Sequence, residues 1–397
     1  MVDIATLATF VFAAVASLFM AWSIGAGSSG STPFAPAVGA NAISVMKAGF
    51  LVGLFGFLGA VLQGQNVSEA VGTELIGGVA LSPIAATVAL TIAASLVAIG
   101  VFTGYPIATA FTVTGAVIGV GIAMGGDPAW LKYQEIAALW LLTPFVGGGA
   151  AYGIARVLRD EPVPEASLVV GLSAIVGIIF ANIEFALLGA GDEGASIAVA
   201  AAEFIPGSRL LGIVIGTALM AALWAGPVAV GFRKDAERTE RKFLLVMGAL
   251  VAFSAGGSQV GLAIGPLIPL SGDVGIPLIA LLVGGGFGLL LGSWTGAPRM
   301  IKAISQDYSS LGPRRSIAAL IPSFAIAQVA VLYGIPVSFN EIVVSAIIGS
   351  GYAAAGAGGG VSARKMGYTV LAWILSLAGA LAIGYGGYLA VRLVIGG

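Results

Sequence analysis

FTGYPIATAFTVTGAVIGVG, residues 102–121, and LYGIPVSFNEIVVSAIIGSG, residues 332–351, share one pattern. Each stretch has a glycine two residues before a proline, then a short polar patch, then an apolar run that ends in A-[VI]-I-G-x-G. Upstream, SIGAGSS at 23–29 has a counterpart in SAGGSQV at 254–260. Two motifs that recur in the same order at nearly the same spacing indicate an internal repeat.

The composition places this repeat in a membrane. Of the 397 residues, 58% are hydrophobic and 9% are charged, whereas a soluble domain carries about a quarter charged residues. The 61 glycines fit transmembrane helices that pack closely. The net charge of −1 and the absence of a basic patch indicate no nucleic-acid partner. Because the chain has no cysteine or histidine, we expect no metal site and no cofactor.

A transmembrane helix needs about 20 apolar residues, and the sequence predicts an all-α polytopic membrane protein with about twelve of them. They are expected at 4–24, 46–63, 81–101, 107–124, 136–156, 166–190, 208–231, 243–270, 275–293, 316–333, 341–357 and 367–395. With twelve crossings the basic clusters near 156–159, 233–242, 299–315 and 364–365 share one side, which the positive-inside rule makes cytoplasmic. Both termini are then expected outside, in a multi-pass protein of the plasma membrane.

This topology relates the two sequence copies by an inversion. Pro106 lies at a predicted cytoplasmic turn and Pro336 at an external one. Inverted repeats are characteristic of secondary transporters, in which broken helices from both repeats meet near the midplane around the substrate. We predict a first inverted repeat over 1–156, connecting helices with a basic cytoplasmic loop over 157–242, and a second inverted repeat over 243–397.

The polar breaks in the apolar chain are the candidate substrate site. Backbone that leaves the helix inside a bilayer must line a cavity or be buried in protein. Glycines allow close approach to backbone amides, hydroxyls donate hydrogen bonds, and helix N-termini favour anions. Small residues that only allow tight packing are the simpler explanation for any single position. The predicted substrate-binding residues are Gly27, Ser28, Ser29, Ser31, Thr32, Thr109, Gly256, Gly257, Ser258, Gln259, Ser338 and Asn340.

Two carboxylates are candidates for ion coupling. Glu184, in FANIEFALL, is predicted to lie within a span, and Glu341 opens the span after Pro336. Ionisable groups at membrane depth cost ~2.5–3.5 kcal/mol or more and tend to be functional. Such a carboxylate can carry a coupling proton. The alternatives are a hydrogen-bonded pair between helices for Glu184 and a solvated helix N-terminus for Glu341.

The motifs resemble those of the inorganic phosphate transporter (PiT) family, which has two inverted copies of a G-A-N-D-x-x-N-A signature, each followed by P-V-S-T-T-H. AFSAGGSQVGLAIGPL at 252–267 is similar to the family's AFAHGANDVANAIGPL. WTGAPRMIKAISQDYSSLGPRRS at 294–316 and GIPVSFNEIVVSAIIG at 334–349 follow in the family's order. The resemblance covers most of the chain and implies the family's fold, with sodium and phosphate bound at the signature Asp and Asn.

The chain departs from this family pattern at the signature itself. N-D is replaced by Gly27-Ser28 in the first copy and by Ser258-Gln259 in the second. Sulfate carries no proton and needs only donors, whereas phosphate benefits from a carboxylate that accepts a hydrogen bond. The chain also resembles the family's sulfate permeases, whose first signature is rich in serine and glycine. Phosphate and sulfate therefore both stay open, as do proton and sodium coupling.

The sequence predicts a secondary active transporter of an inorganic tetrahedral oxyanion, phosphate or sulfate, that works by alternating access with proton or sodium coupling. No Walker motif is present to indicate ATP as the energy source. A passive anion channel is the alternative. An enzyme is not expected, because neither Ser28 nor Ser258 lies in a recognisable arrangement with a base. The expected partners are the oxyanion and the lipid bilayer, with a homodimer as a further candidate.

Overall fold

A computed structural model of the chain describes residues 4–160, 163–185, 188, 194–353 and 361–395. This part of the chain is mostly helical, with two short antiparallel strand pairs, β1 (Ile76–Gly77) with β2 (Asp127–Pro128) and β3 (Glu184–Phe185) with β4 (Ala195–Ser196). The helices are α1 (Ile4–Gly27), α2 (Ala35–Gly39), α3 (Val45–Gln63), α4 (Gln65–Thr73), α5 (Pro83–Thr103), α6 (Thr109–Ala123), α7 (Trp130–Asp160), α8 (Glu165–Asn182), α9 (Ile197–Ala202), α10 (Arg209–Lys234), α11 (Ala236–Ile264), α12 (Ile268–Val274), α13 (Leu278–Thr295), α14 (Ala297–Asp307), α15 (Pro313–Leu332), α16 (Phe339–Tyr352) and α17 (Ala363–Ile395).

The protein is a polytopic helical membrane protein, and ten helical segments in the described ranges are long and apolar enough to cross a membrane. The spans predicted at 107–124 and 341–357 are instead the shorter helices α6 and α16, with 15 and 14 residues. At 1.5 Å per residue such helices are about 20 Å long, whereas the hydrocarbon core is about 30 Å thick. The predicted span ends at residues 190 and 357 lie outside the described residues.

Each short helix follows a long one through an extended segment. Gly104 directly follows α5 and has a φ of 77°, and Gly334 after α15 has a φ of 60°. A residue with a side chain is strained in this left-handed region, which explains the glycine before each proline. The pairing of β1 with β2 places the start of α5 beside the end of α6. The chain from α5 to α6 is therefore a hairpin, with its extended segment at 105–108.

Each of the hairpins α5–α6 and α15–α16 packs against a long helix of the other sequence copy. α6 packs along α17, and α16 packs along α7. The indole Nε1 of Trp373 on α17 donates a hydrogen bond to the carbonyl of Pro106 at 2.7 Å. The indole Nε1 of Trp140 on α7 donates to the carbonyl of Pro336 at 2.8 Å. Because the extended segments lack helical partners, these bonds satisfy carbonyls that are costly to bury unpaired.

Glycines hold the two motif-bearing helices, α1 and α11, in close backbone contact with their neighbours. A β-carbon at Gly256 on α11 would lie 1.8 Å from the carbonyl oxygen of Gly56 on α3. A β-carbon at Gly25 on α1 would lie 2.1 Å from the carbonyl oxygen of Leu289 on α13. Only glycine fits at such contacts, which are typical of helix packing in membranes.

The predicted domain boundaries stay predictions. α7 continues through residue 156, and α11 begins before residue 242 and continues through it. Within the connecting region, α8 packs on α10. Glu165 at the start of α8 accepts two hydrogen bonds from the Arg314 guanidinium at the start of α15, at 2.9 and 2.7 Å. This bidentate ion pair joins the connecting region to the second sequence copy.

Candidate functional site

Polar side chains from both sequence copies meet where α1 ends and where α6 and α16 begin. The Thr109 hydroxyl donates to Gln259 Oε1 at 2.7 Å, and the Ser28 hydroxyl donates to the same oxygen at 3.2 Å. Gln259 Nε2 donates to the carbonyl of Val337. The side chains of Ser28, Thr109 and Gln259 are fully buried. Gln259 therefore joins two hydroxyls of the first copy to the extended segment that precedes α16.

Asn340, on the first turn of α16, makes a second connection between the copies. Its Nδ2 donates to the carbonyl of Gly27 at 2.9 Å and to the carbonyl of Ile107 at 2.7 Å. Gly27 is the last residue of α1, and Ile107 lies in the extended segment before α6. One carbonyl of each extended segment is thus bound by an amide side chain of the second copy. We call these side chains (Ser28, Thr109, Gln259 and Asn340), together with the buried Ser258 next to Gln259 and the buried Ser338 next to Val337, the central cluster.

The helices α6 and α16 begin at the central cluster without a side-chain cap. The first N–H groups of a helix have no acceptor within the helix, and its N-terminal end carries a partial positive charge. The Ser338 hydroxyl, at the N-cap position of α16, has no partner within the described residues. Two uncapped helix N-termini that share one buried polar cluster favour an anion.

Several buried polar atoms on α6, α11 and α16, the helices that contribute to the central cluster, or at the N-cap of α16 lack a hydrogen-bond partner. Leaving such an atom unsatisfied costs about 1–3 kcal/mol, so each one calls for a reason such as contact with a ligand. Three of the residues are predicted to bind substrate, and one is predicted to couple an ion. Among the residues that the structure describes, the unpartnered atoms are Thr114 Oγ1, Ser258 Oγ, Ser338 Oγ, Asn340 Oδ1 and Glu341 Oε2.

A model of the phosphate transporter family matches residues 24–384. The chain belongs to this family. It is 28% identical over 384 residues to "Putative phosphate permease" of Chlamydia trachomatis serovar D, over 85% of this chain and 88% of the relative. It is 24% identical to "Inorganic phosphate transporter 2-1, chloroplastic" of Arabidopsis thaliana, over 84% of this chain and 64% of the relative.

A solved structure described as "The sodium-dependent phosphate transporter" has the same fold. It superposes with a TM-score of 0.81 over 98% of this chain and 100% of its own, at 21% sequence identity. The resemblance to the phosphate transporter family is therefore confirmed, and the family consists of transporters rather than enzymes. The likeness to the sulfate-permease branch stays a prediction.

Other predicted site residues of this family member form the turn after α1. The hydroxyls of Ser31 and Thr32 both donate to the carbonyl of Ser28, at 3.1 Å each. Ser29 lies in the same turn and is 4% exposed. The Ser31 and Thr32 side chains thus stabilise the turn that places Ser28 in the central cluster.

Gly256 and Gly257 lie on the face of α11 that packs against α3. A β-carbon at Gly257 would lie 2.8 Å from the β-carbon of Gln63. Because α11 is continuous through both glycines, their N–H groups lie within the helix rather than at one of its ends. The structure therefore places these two predicted site residues in helix packing, outside the central cluster.

The two predicted coupling carboxylates lie in different environments. Glu341 is 2% exposed, which excludes a solvated helix N-terminus. Glu184 is exposed and lies in β3, because α8 ends at Asn182. The prediction that Glu184 lies within a span is wrong. The residues on both sides of Glu184 are apolar, so the sequence does not indicate where the helix ends.

The sequence predictions omit two indoles that bind proline carbonyls and two amides that bind each other. Trp140 and Trp373 bind the proline carbonyls, and each follows its own proline turn at a comparable distance. That recurrence is the signal by which they could have been found. Gln63 and Gln328 form a buried pair, and no local motif marks either residue.

Proposed function

We propose that this protein is a secondary active transporter that moves inorganic phosphate across the membrane by alternating access. The observation that carries this proposal is the meeting of two uncapped helix N-termini, those of α6 and α16, in the central cluster. Positive helix ends and unpartnered hydroxyls suit an oxyanion. Membership of the phosphate transporter family favours phosphate among such anions.

Alternating access rests on the predicted inversion of the two sequence copies. The packing between the copies supports this inversion, because α17 binds the hairpin of the first copy and α7 binds the hairpin of the second. A pseudo-symmetric pair of hairpins around one site suits a mechanism in which the site opens to either side in turn.

Glu341 is the proposed coupling group. Its carboxyl is 2% exposed, and Oε2 has no partner in the described chain. An ionised carboxylate is costly to bury unless it is paired. Glu341 is therefore expected to bind a proton or a sodium ion when the substrate site is closed to water.

The Glu341→Gln variant tests this coupling. Because an amide cannot take up a proton and lacks the negative charge that a carboxylate offers a sodium ion, the variant should exchange phosphate across the membrane but fail to accumulate it against a gradient. Asp273→Asn is the control, since Asp273 is exposed and far from α16 in sequence. Accumulation by Glu341→Gln at the wild-type level would contradict the coupling role.

Reconstituted uptake tests the function itself. Liposomes that contain the purified protein receive labelled phosphate or labelled sulfate, each with an inward proton gradient, an inward sodium gradient or none. Saturable phosphate uptake that one gradient drives, together with exchange against internal phosphate, is the expected result. Ohmic single-channel currents would instead indicate a passive anion channel.

Sulfate is the second candidate substrate, and one observation favours it. The signature aspartates are absent, and Gln259 Oε1 already accepts two hydroxyl protons, so it is less available to accept one from a phosphate. Uptake of sulfate without uptake of phosphate would overturn the phosphate assignment.

The basic helix ends are proposed to face the cytoplasm in the plasma membrane, with both chain termini outside. The structure gathers Arg159, Arg314 and Lys365 at neighbouring ends of α7, α15 and α17, which supports a common side. Arg159 donates to the carbonyl of Ala353 at the end of α16, and Lys365 Nζ lies 3.1 Å from a carboxylate oxygen of Asp307. Labelling of a cysteine placed at either terminus would test the orientation, and crosslinking would test the predicted homodimer.

A further inference from the structure

A second polar region of the molecule lies outside the central cluster. A cavity of about 520 Å³ opens between the C-terminal ends of α3, α8 and α15. Gln63 and Gln328 contribute to its lining and are only 6% and 5% exposed. Gln63 Nε2 donates to Gln328 Oε1 at 3.4 Å, and Gln328 Nε2 donates to Gln63 Oε1 at 3.3 Å. This reciprocal amide pair has no role in the substrate site described above.

The amide pair connects the cavity with the central cluster. Gln328 Nε2 also donates to the Ser254 hydroxyl at 2.6 Å. Ser254 lies four residues before Ser258 on α11, so both lie on one face of the helix, about one turn apart. The Ser258 hydroxyl is buried and finds no partner among the described residues. A polar path thus leads from the cavity through the amide pair and Ser254 to the central cluster.

The cavity opens on the face of the protein opposite the basic helix ends. α8 and α15 both begin at the ion pair between Glu165 and Arg314, and both end at the cavity. Helices of this length separate the two ends by about 30 Å. Because lysine and arginine favour the cytoplasmic side, the cavity is expected to open to the outside.

Two asparagines in the lining of the cavity have side-chain oxygens that are free to bind a cation. Asn66 Nδ2 donates to the carbonyl of Val331 at 3.3 Å, and Asn182 Nδ2 donates to the carbonyl of Ile178 at 2.8 Å. The side-chain oxygens of Asn66 and Asn182 accept no hydrogen bond within the described chain. Amide and carboxylate oxygens are the ligands of hard cations.

The charges around the cavity agree with this preference. Glu184 contributes an exposed carboxylate to the lining, and the described residues of the lining include no lysine or arginine. Such a surface attracts cations and repels anions, in contrast to the positive helix ends of the central cluster.

We propose that this cavity is the outer entrance for a small monovalent coupling cation, and that the Gln63–Gln328 pair is the barrier between the cavity and the central cluster. The proposal rests on ion-coupled transport as the function. At 3.3 and 3.4 Å the two bonds between the amides are longer than the usual 2.9–3.0 Å and are the weakest that either side chain makes, since Gln63 Nε2 also donates to the carbonyl of Glu184 at 2.9 Å. The barrier therefore opens most easily between the two amides. Separation exposes Ser254 and, one turn further, Ser258.

Single cysteines test the charge preference of the cavity, because the chain has no cysteine of its own. Ala325→Cys places a thiol on the lining. In the full-length protein in detergent, we compare a cationic and an anionic methanethiosulfonate of similar size, each rate divided by that with a small free thiol. The cationic reagent should react several times faster, and Glu184→Gln should reduce the difference.

A matched site on the basic face provides the control. Ser310 is exposed and accepts a hydrogen bond from the Arg315 guanidinium at 3.0 Å. Ser310→Cys should therefore prefer the anionic reagent. Equal rates of the two reagents at Ala325→Cys, or a faster anionic reagent there, would overturn the cation preference.

A cysteine behind the amide pair tests the barrier. Ser254→Cys should react slowly while the pair is intact, and at least about tenfold faster with the cationic reagent once Gln328→Ala removes the pair. Gln63→Ala breaks the same pair from α3 and serves if the first variant does not fold. Gln65→Ala, at the cavity but outside the pair, should leave the rate unchanged.

Equal labelling of Ser254→Cys with and without the amide pair would overturn the barrier. These rates need no transport. Failure of the uptake assay would therefore refute the proposed function while the labelling result stood, and failure of the labelling would leave the uptake result intact.

Sodium links the cavity to transport. If sodium drives uptake, Glu184→Gln should raise the sodium concentration for half-maximal uptake and leave that for phosphate unchanged. An equal rise in both concentrations, or a rise in neither, would overturn the role of the cavity as the cation entrance.

Discussion

The two copies of the signature have different local structures, although both contribute to the central cluster. In the first copy α1 ends at Gly27, and residues 28–34 form turns. In the second copy α11 continues through Ser258 and Gln259 to Ile264. The sequences explain the difference, since SSGSTPF at 28–34 contains residues that disfavour a helix interior, whereas SQVGLAI at 258–264 contains few.

The two copies therefore contribute to the central cluster in different ways. The turn of the first copy is stabilised locally, because Ser31 and Thr32 bind the carbonyl of Ser28. The continuous helix of the second copy holds Gln259, which contacts both copies. A side chain on a rigid helix is held in place better than one on a turn. The bridging residue therefore lies where the backbone is regular.

The sharpest test of this comparison removes the bridging residue. Gln259→Leu leaves the carbonyl of Val337 without a donor and the Ser28 hydroxyl without its acceptor, while the Thr109 hydroxyl keeps only its 3.4 Å bond to Ser28 Oγ. At about 1–3 kcal/mol for each unsatisfied group, the free energy of unfolding should fall by about 3 kcal/mol or more. Thermal unfolding in detergent measures the loss, and phosphate uptake should disappear.

Ser28→Ala is the matched variant in the broken copy. It removes a single hydroxyl donor, so the expected loss in the free energy of unfolding is about 1 kcal/mol. If Ser28→Ala proves as destabilising as Gln259→Leu, the two copies do not differ in the way proposed.

The next largest effect on stability is expected at the two indoles that each bind a carbonyl of the other sequence copy. Trp373→Phe and Trp140→Phe each leave a buried proline carbonyl unpaired, which should cost about 1–3 kcal/mol in the free energy of unfolding. Phenylalanine keeps the aromatic packing, including the stack of residue 140 on Phe111 with ring centroids 3.9 Å apart. The half-saturating phosphate concentration should rise in both variants, because each carbonyl lies beside the start of α6 or α16.

Trp294→Phe provides the control for the indole pair. Its Nε1 donates to the carbonyl of Phe50 at 3.2 Å, but in an exposed position. The expected loss is below about 0.5 kcal/mol, since surface substitutions fall in this range. Equal losses of stability at the buried and exposed indoles would show that the hydrogen bonds between the two copies contribute no more than a surface hydrogen bond.

The smallest effect on stability is expected at Ser258, together with a large effect on uptake. Its hydroxyl has no partner in the described ranges, so Ser258→Ala should change the free energy of unfolding by less than about 0.5 kcal/mol. Uptake should nevertheless be lost if the hydroxyl binds the oxyanion. Ser323→Ala, whose hydroxyl bonds within its own helix at 2.7 Å, should keep normal uptake. Wild-type transport by Ser258→Ala would remove this residue from the site.

The breaks in the fold could be predicted from the sequence because glycine and proline act locally. Gly104 and Gly334 mark both extended segments, and the backbone takes the left-handed conformation at each. The lengths of α6 and α16 could not be predicted, since the extended residues before each helix are as apolar as the helix. The packing of each hairpin against the other sequence copy could not be predicted either, because contacts between distant segments leave no local pattern.

Several side chains of the predicted site meet in the fold, whereas two of its glycines do not, and the binding role of all of them stays a prediction. Serine, threonine, asparagine and glutamine in an apolar chain must find partners, and four of those in the central cluster bond to one another or to nearby carbonyls. Gly256 and Gly257 lie where α11 packs on α3, and the sequence could not indicate this because a glycine serves helix packing as well as backbone access. Gln63 and Gln328 were missed because each looks like an isolated amide until the fold pairs them.

The bond between Trp373 and Pro106 has a consequence for how the chain folds during synthesis. The ribosome completes α17 long after the α5–α6 hairpin has entered the membrane. Until α17 arrives, the carbonyl of Pro106 lacks its indole partner and α6 lacks the helix it packs along. A chain that stops before residue 363 therefore leaves unsupported a hairpin made near its beginning.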